Sequence, residues 1–153
     1  MSEIQPLNFP KADLRLKRKG DDVYVWCILR KKDLICTPEE WVRQHVIHYL
    51  INDKNIPEGL IASEHSLEYN GLAKRADIVV FNRSQKPILI VECKATKVPI
   101  TEKTLQQIAQ YNFKLNVDYL FLTNGLQHVY CSVDKETGKV IYLKDLPDGS
   151  SLL

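Results

Sequence analysis

The stretch RADIVVFNRSQKPILIVECKA, residues 75–95, decides the fold of this chain. It holds two apolar runs rich in β-branched residues, 76–81 and 88–93, separated by a polar segment that ends in proline. This pattern predicts an antiparallel hairpin. We take Asn82 to pair with Pro87 across the loop, and that pairing fixes the register of every other pair in the hairpin.

The register places Asp77 directly opposite Glu92. Opposed residues of antiparallel strands hold their Cβ atoms about 5 Å apart on one face, and like charges placed there destabilise the sheet. Lys94 lies two residues beyond Glu92 and projects from the same face, while Cys93 points to the other. Because the neighbouring residues are apolar, these charges are costly without a partner. The sequence therefore predicts a charged site at the end of the hairpin.

Two interpretations of this charged site are open. In the first, Asp77 and Glu92 bind a divalent cation such as Mg²⁺, whose usual ligands are carboxylate, water and phosphate oxygens. Lys94 then activates an attacking water and offsets developing charge. In the second, the site is a structural salt-bridge cluster in which Lys94 neutralises both carboxylates with the help of Arg75. Spacing alone does not distinguish the two.

Further elements are predicted on both sides of the hairpin. Thr37 is typical of a helix N-cap and Pro38 of the first helical position, and this helix should run to about Asn52. Thr101 opens a second helix. The other predicted elements are a hairpin of 23–29 and 34–36, strands 60–69 and 119–122, and a closing hairpin of 129–133 and 140–143. The predicted inward side chains are Val42, Val46, Tyr49 and Leu50 in the first helix and Leu105, Ile108, Ala109 and Phe113 in the second.

This order of elements predicts an α/β (α+β) fold: helix, three antiparallel strands, helix and strand, with added β-hairpins at both ends. The chain has 153 residues, of which 44% are hydrophobic and 26% charged, and this is the composition of one globular domain. We assign residues 1–20 to an N-terminal arm and residues 21–153 to a single domain.

Composition also indicates where the protein resides. No apolar stretch reaches the length that crosses a bilayer, and the beginning MSEIQPLNFP lacks the basic and apolar regions of a signal peptide. The four cysteines are spread along the chain without a C-x-x-C pair, which favours reduced thiols. We therefore expect a cytoplasmic protein with no membrane contact.

Charge gives only a weak indication of partners. A net charge of +2 does not by itself indicate nucleic acid binding. Basic residues are concentrated between Lys11 and Lys19 and again from Arg30 to Lys32. We interpret both groups as solvated surface, which is the usual role of charge runs, with phosphate contacts as the alternative.

Four blocks of sequence carry a resemblance to a known family. They are TPEEWVRQ (37–44), RADIV (75–79), VECKA (91–95) and QIAQYN (107–112). The second and third blocks resemble the D…E-x-K signature of the PD-(D/E)xK nuclease superfamily. All four, in this order, resemble the N-terminal nuclease domain of type I restriction enzyme R subunits over roughly residues 37–133. The resemblance implies a restriction-endonuclease-like core and a metal-dependent deoxyribonuclease.

The resemblance also implies roles for individual residues. Asp77 and Glu92 are expected to bind Mg²⁺, or Mn²⁺ in its place, together with the backbone carbonyl of Cys93. Lys94 is expected to be the catalytic lysine. Gln107 and Tyr111 match a Q-x-x-x-Y element that orients this lysine and contacts DNA. The alternative is that Tyr111 is a core aromatic and Gln107 a surface amide.

The first helix is expected to contribute one more acid to the site. Glu40 is the first candidate and Glu39 the second. The alternative role for Glu40 is to close a capping box with Thr37, since it stands three residues after the N-cap.

Two features depart from the family pattern. Ala76 stands where the superfamily name has proline, and no G-x-x-x-x-G-K-[ST] motif of an ATP-driven motor occurs in this sequence. The implied function is therefore that of a Mg²⁺-dependent DNA endonuclease without the motor. It would act on DNA by itself, together with other restriction-modification or motor subunits, or as a homodimer. The competing hypothesis is a catalytically silent DNA-binding or assembly module that retains the nuclease fold.

Overall fold

A computed structural model describes residues 5–153 of the chain. The nine strands of this part of the chain are β1 (Leu16–Lys19), β2 (Asp22–Cys27), β3 (Lys32–Ile35), β4 (Ile61–Tyr69), β5 (Leu72–Phe81), β6 (Pro87–Cys93), β7 (Tyr119–Thr123), β8 (His128–Val133) and β9 (Val140–Leu143). The helices are α1 (Pro38–Asn52), α2 (Glu102–Lys114) and the short α3 (Gly149–Leu152), and a 3₁₀ turn, Glu58–Leu60, precedes β4.

The centre of the molecule is a six-stranded sheet in the order β4-β5-β6-β7-β8-β9. Its neighbouring strands are antiparallel except for β6 and β7, which are parallel and joined by α2. The predicted order of helix, three antiparallel strands, helix and strand is confirmed, and so is the α+β fold class. None of the helices in residues 5–153 is long and apolar enough to cross a membrane.

The helices α1 and α2 pack on opposite faces of this sheet. Val42 and Val46 of α1 belong to the same core cluster as Phe121 of β7. Leu105 of α2 packs with Leu120, the neighbour of Phe121, in a second cluster. Adjacent residues of a strand point to opposite faces, so the fold has three layers with the sheet in the middle.

Helix α1 begins and ends as the sequence predicts. The Thr37 side chain accepts a hydrogen bond from the backbone N–H of Glu40 at 3.1 Å, and Pro38 occupies the first turn. The residues predicted to face inward, Val42, Val46, Tyr49 and Leu50, are all buried. The local signals of capping and helical spacing were therefore sufficient for this element.

Helix α2 matches its prediction with one exception. Thr101 caps it by accepting the N–H of Thr104 at 3.2 Å, and Leu105, Ile108 and Ala109 are buried. Phe113, predicted to face inward, is 40% exposed, so that prediction is wrong. A Cβ added to Gly138, in the turn before β9, would lie 3.2 Å from the Phe113 ring, which shows that the ring lies against this turn.

The register of β5 and β6 agrees with the prediction next to the charged residues and departs from it near the loop. Ile78 lies opposite Val91, as the predicted register requires. The predicted pair of Asn82 and Pro87 is wrong, since the register shifts after Val80 and Pro87 pairs with Phe81. The physical reason is the turn itself, because the Asn82 side chain accepts backbone N–H groups from residues 84 and 86 at 3.0 Å.

The N-terminal region forms more structure than a hairpin and an arm. Strands β1, β2 and β3 form a separate antiparallel sheet. Strand β1 lies within residues 1–20, so this range, predicted to be an arm, contains a strand. Leu7 and Phe9 also pack against the main core, and the Gln5 carbonyl accepts the indole N–H of Trp41 at 2.8 Å. Residues 1–4 of the expected arm lie outside the described residues. At the other end, β8 and β9 form the predicted hairpin as part of the six-stranded sheet.

The α1 cap gives a direct test of local stability. Replacing Thr37 with Ala removes the acceptor for the Glu40 N–H, and loss of such a cap costs about 1 kcal/mol of unfolding free energy. Thr37→Ser keeps the hydroxyl and should stay close to the wild type. Urea denaturation of both variants measures the difference, and equal losses in Ala and Ser would contradict the capping role.

Candidate active site

Asp77 lies just beyond the paired part of β5 and β6. The last pair of the ladder joins Ile78 and Val91, and the Asp77 side chain then continues the contact between the strands. Its Oδ2 accepts the backbone N–H of Cys93 at 2.7 Å, and its Oδ1 accepts an N–H of Arg43 at 3.2 Å. Both carboxylate oxygens therefore have fixed donors, and they connect Asp77 to β6 and to α1.

Glu92 is the most deeply buried acid of the hairpin, with 8% of its surface exposed. Its Oε1 lies 3.1 Å from the ammonium nitrogen of Lys74. Burial raises the pKa of Glu92, and the nearby charge of Asp77 raises it further, against the lowering effects of Lys74 and Lys94. The ionised form of Glu92 is thus less favourable here than in water, even with two lysines close by.

Lys94 lines an open cleft of about 510 Å³ between the sheet and α2. The residues lining the cleft are Leu72, Lys74, Glu92, Lys94, Thr104, Gln107, Ile108, Gln110, Tyr111 and Lys114. The backbone N–H of Lys94 donates to the Thr123 carbonyl at 2.8 Å, which fixes the end of β6 against β7. Three lysines, Lys74, Lys94 and Lys114, line the cleft together with the single acid Glu92.

Gln107 and Tyr111 both reach this cleft from α2. Tyr111 is 39% exposed, so the alternative of a core aromatic is wrong. Its ring lies 4.8 Å from the Lys74 ammonium nitrogen, a cation–π distance. Gln107 is exposed and shares the cleft with Lys94. The cleft therefore brings together four of the predicted site residues, namely Glu92, Lys94, Gln107 and Tyr111. Asp77 is not among the residues that line it, and its carboxylate is bound by Arg43.

Glu40 turns inward from the first turn of α1 and is 7% exposed. One carboxylate oxygen accepts a short hydrogen bond from Arg43, and the other accepts the Gln44 side-chain amide at 2.9 Å. The capping-box alternative is wrong, because these donors occupy both oxygens and the Thr37 N–H donates to the Ile35 carbonyl instead. Glu39 is exposed.

Arg43 joins the two acids of this side of the site. The side chain is 10% exposed and its guanidinium donates to both Glu40 and Asp77. Burial lowers the pKa of Arg43, but the charges of Glu40 and Asp77 outweigh that effect and raise the pKa above its usual value. Arg43 is therefore a permanent cation that holds the Asp77 carboxylate in one orientation.

Further charged residues surround the ion pair of Arg43 and Asp77. The carboxylate oxygens of Glu64, on β4, lie 2.7 Å, 3.8 Å and 4.0 Å from guanidinium nitrogens of Arg30, Arg75 and Arg43, respectively. The β4–β5 pairing passes over Glu64 and Asp77, and Glu64 has a φ of 47°, so the sheet is irregular at this point. The idea that Arg75 helps to neutralise Asp77 and Glu92 is wrong, since Arg75 is 67% exposed and pairs with Glu64.

Sequence reasoning missed Arg43, Lys74 and Glu64. The Glu40–Arg43 spacing of three residues on one helix was a readable signal for Arg43. Lys74 had no such signal, because its position depends on the irregularity of β5. Ala76 and Val79 pack in one cluster, although a regular strand would turn them to opposite faces.

The residues present suit a hard divalent cation. No group of three or more His, Cys, Asp or Glu side chains within residues 5–153 is arranged to hold a metal ion. Asp77 and Glu92 nevertheless supply carboxylate oxygens on adjacent strands, and the charge of Asp77 raises the pKa of Glu92. Mg²⁺ commonly uses one or two carboxylates and takes its other ligands from water and phosphate, so this donor set fits.

Comparison with known proteins identifies the family. The chain belongs to the family described as type I restriction enzyme R protein N terminus, whose model matches residues 38–147. This confirms the resemblance seen in the four sequence blocks.

Two relatives illustrate the relationship. The type I restriction enzyme EcoAI endonuclease subunit of Escherichia coli is 31% identical over 115 residues, which cover 72% of this chain and 13% of that protein. The fragment structure of a putative HsdR subunit of a type I restriction enzyme from Vibrio vulnificus YJ016 is 26% identical, with a TM-score of 0.42, over 60% of this chain and 19% of that chain. The chain thus spans a small part of either relative.

Replacing Glu92 with Gln tests the cost of ionising this buried carboxyl. Because the folded-state pKa of Glu92 is raised, the folded protein binds more protons than the unfolded one between the two pKa values. The Glu92 contribution to stability is therefore fully present at low pH and is lost as the pH rises through the folded pKa. The unfolding free energy of Glu92→Gln should gain on the wild type as the pH rises above about 4, the ordinary pKa of a glutamate, and through the raised pKa of the folded state.

Urea denaturation at several pH values measures this difference. Glu68→Gln, at an exposed position of β4, is the matched control for replacing a carboxyl with an amide. A Glu92→Gln difference that does not change with pH would show that ionised Glu92 carries no net cost.

Proposed function

We propose that this chain is a Mg²⁺-dependent DNA endonuclease domain that hydrolyses phosphodiester bonds, with Mn²⁺ able to replace Mg²⁺. The observation that carries the proposal is the position of Glu92. It is a buried carboxylate with a raised pKa, beside Asp77, and it opens with Lys94 onto the same cleft. Perturbed groups that meet in a cleft are characteristic of active sites. Family membership supports the same chemistry.

In this proposal Asp77, Glu92 and the Cys93 carbonyl hold the Mg²⁺ ion. When bound, the ion supplies Lewis-acid stabilisation of charge on the phosphate and makes water a better nucleophile. Lys94 orients the attacking water with its ammonium group and offsets negative charge that develops on the phosphate oxygens. Gln107 and Tyr111 restrict the Lys94 side chain and contact the DNA backbone.

Arg43 and Glu40 act as positioning residues for Asp77. Arg43 donates to one oxygen of Asp77 and the Cys93 N–H to the other, so the carboxylate cannot rotate freely. The other terminal nitrogen of the Arg43 guanidinium donates to the Glu40 carboxylate, which fixes the orientation of Arg43. A carboxylate held on both sides loses little conformational entropy when it binds a cation, and this preorganisation favours binding.

Lys74 has a different role in the proposed reaction. Its ammonium lies 3.1 Å from Glu92 and 4.8 Å from the centre of the Tyr111 ring. A divalent cation on Glu92 repels this ammonium at short range. We expect the Lys74 ammonium to stay near the Tyr111 ring and to turn toward a DNA phosphate in the cleft. The phosphate then replaces Glu92 as the anionic partner of Lys74.

Partners follow from the family rather than from this chain alone. One relative is described as an endonuclease subunit of a type I restriction enzyme, and this chain covers 13% of it. We infer that the domain binds DNA, resides in the cytoplasm and works with other restriction-modification or motor subunits, or as a homodimer.

A catalytically silent DNA-binding or assembly module is the second candidate. The observation that favours it is that both acids already have protein cations as partners, Arg43 for Asp77 and Lys74 for Glu92. The modest net charge of +2 favours the assembly role over the nuclease, since productive DNA binding usually needs a clear basic surface.

Lys94 and Glu92 together distinguish catalysis from metal binding. Lys94→Ala leaves both carboxylates, so Mg²⁺ affinity should survive while cleavage falls by a factor on the order of 10² or more. Glu92→Ala removes a ligand and should abolish both. Calorimetry with Mg²⁺ and nicking of a plasmid, measured on the same preparations, give the two readouts.

Lys103→Ala is the control, because Lys103 is an exposed lysine of α2 that does not line the cleft. It should match the wild type in both assays. Undiminished cleavage by Lys94→Ala would refute the proposed mechanism. If wild type and variants all bind DNA and none cleaves it, the silent module is the correct description.

A further inference from the structure

The β1–β3 sheet presents two aromatic side chains on its outer face. Val25 and Cys27 of β2 are fully buried, so strand alternation turns Tyr24 and Trp26 away from the core. Both aromatic residues are partly exposed. Ile35 pairs with Tyr24 across β2 and β3 and is 54% exposed, which shows that this face is open to solvent.

Basic side chains lie beside these rings. Lys17 pairs with Tyr24 across β1 and β2 and therefore shares the outer face, as does Lys19 two residues on. The Lys19 ammonium nitrogen is 5.4 Å from the centre of the Tyr24 ring. The Arg15 carbonyl accepts the backbone N–H of Trp26 at 3.0 Å, which places Arg15 next to the indole. We call these five residues the aromatic–basic face.

A shallow cleft of about 370 Å³ opens on this face. It is lined by Arg15, Leu16, Lys17, Trp26 and Asp33. The one acid among them, Asp33, is 4.0 Å from the Lys17 ammonium, and the Lys17 side chain is 59% exposed. This long and exposed ion pair leaves the Lys17 ammonium available to another anion.

The sheet is also connected to the candidate active site. Arg30, in the turn between β2 and β3, lies 2.7 Å from Glu64. Glu64 lies 4.0 Å from Arg43, and Arg43 binds Asp77. The turn of the β1–β3 sheet is therefore linked to Asp77 through a chain of ion pairs.

We propose that the aromatic–basic face binds a segment of single-stranded DNA. Two bases stack on the Trp26 and Tyr24 rings, and Arg15, Lys17 and Lys19 bind the phosphates between them. Binding to this face goes beyond the proposed nuclease function, because it requires neither metal nor cleavage.

The chemistry of the face favours single strands over duplex DNA. Aromatic rings bind unpaired bases by stacking, and a basic groove tracks the phosphates, which is the combination that single-strand binding sheets use. In a duplex the base faces are stacked inside the helix and cannot reach Trp26 or Tyr24. Basic residues alone would bind both forms, so the two rings provide the discrimination.

Fluorescence anisotropy tests the proposal on the full chain in EDTA, which removes the metal that the proposed cleavage requires. The probe is a labelled oligothymidylate of about 12 nucleotides, within the range that one such sheet binds. Comparison ligands are an abasic oligonucleotide of equal length and a duplex. Wild type should bind the oligothymidylate on the order of 10-fold more tightly than the abasic strand, the scale of one or two stacked bases.

Variants assign the binding to this face. Tyr24→Ala with Trp26→Ala should lose 10-fold or more in affinity, whereas Trp26→Phe keeps a stacking ring and should stay near the wild type. Lys17→Glu with Lys19→Glu should weaken binding without changing the rings. Tyr142→Ala, at an exposed tyrosine of β9, is the matched control.

Equal affinity for the oligothymidylate and the abasic strand, or for wild type and the double alanine variant, overturns the proposal. So does an equal loss of duplex and single-strand affinity in the double alanine variant, because the rings of this face would then not discriminate between the two forms. These results do not depend on whether the chain cleaves DNA, so they are independent of the proposed function.

Discussion

The pairing of β5 with β6 is the constraint on which the site depends. Ile78 opposite Val91 sets the register, and this register brings the Asp77 side chain to the backbone N–H of Cys93, next to Glu92. A slip of one residue would turn every side chain of one strand to the other face. The buried aliphatic residues of both strands prevent that slip, because it would expose them to water. The hydrophobic core thus fixes the geometry of a polar site.

The site also shows how a fold accommodates like charges. Asp77, Glu92 and Glu40 are balanced by Arg43 and Lys74, and Glu64 extends the network to Arg30 and Arg75 at the surface. Buried ion pairs of this kind cost desolvation and are weak contributors to stability. Their value here is orientation, since Asp77 of β5 is held by Arg43 of α1 and by the Cys93 N–H of β6, and Glu92 of β6 lies against Lys74 of β5. The raised pKa of Glu92 shows that the compensation is incomplete.

The sequence was informative where local rules govern and uninformative where they fail. Thr37 and Thr101 correctly predicted the starts of their helices because capping is local. The apolar runs around Ile78 and Val91 correctly predicted the hairpin. The bulge after Val80 and the irregularity at Glu64 and Asp77 depend on turn geometry and on contacts between distant strands. Lys74 could not be placed beside Glu92 for the same reason. Arg43 was within reach of sequence reasoning, since its spacing from Glu40 is that of neighbours on a helix.

In the proposed function, Asp77 and Glu92 form a metal-dependent nuclease site. The most direct test is cleavage of plasmid, linear and single-stranded DNA by wild type and Asp77→Ala, with Mg²⁺ or Mn²⁺ and with EDTA. Wild type should cleave at least one of these DNA forms only when the metal is present, and Asp77→Ala should cleave none. Cleavage in EDTA, or equal cleavage by Asp77→Ala, would contradict it.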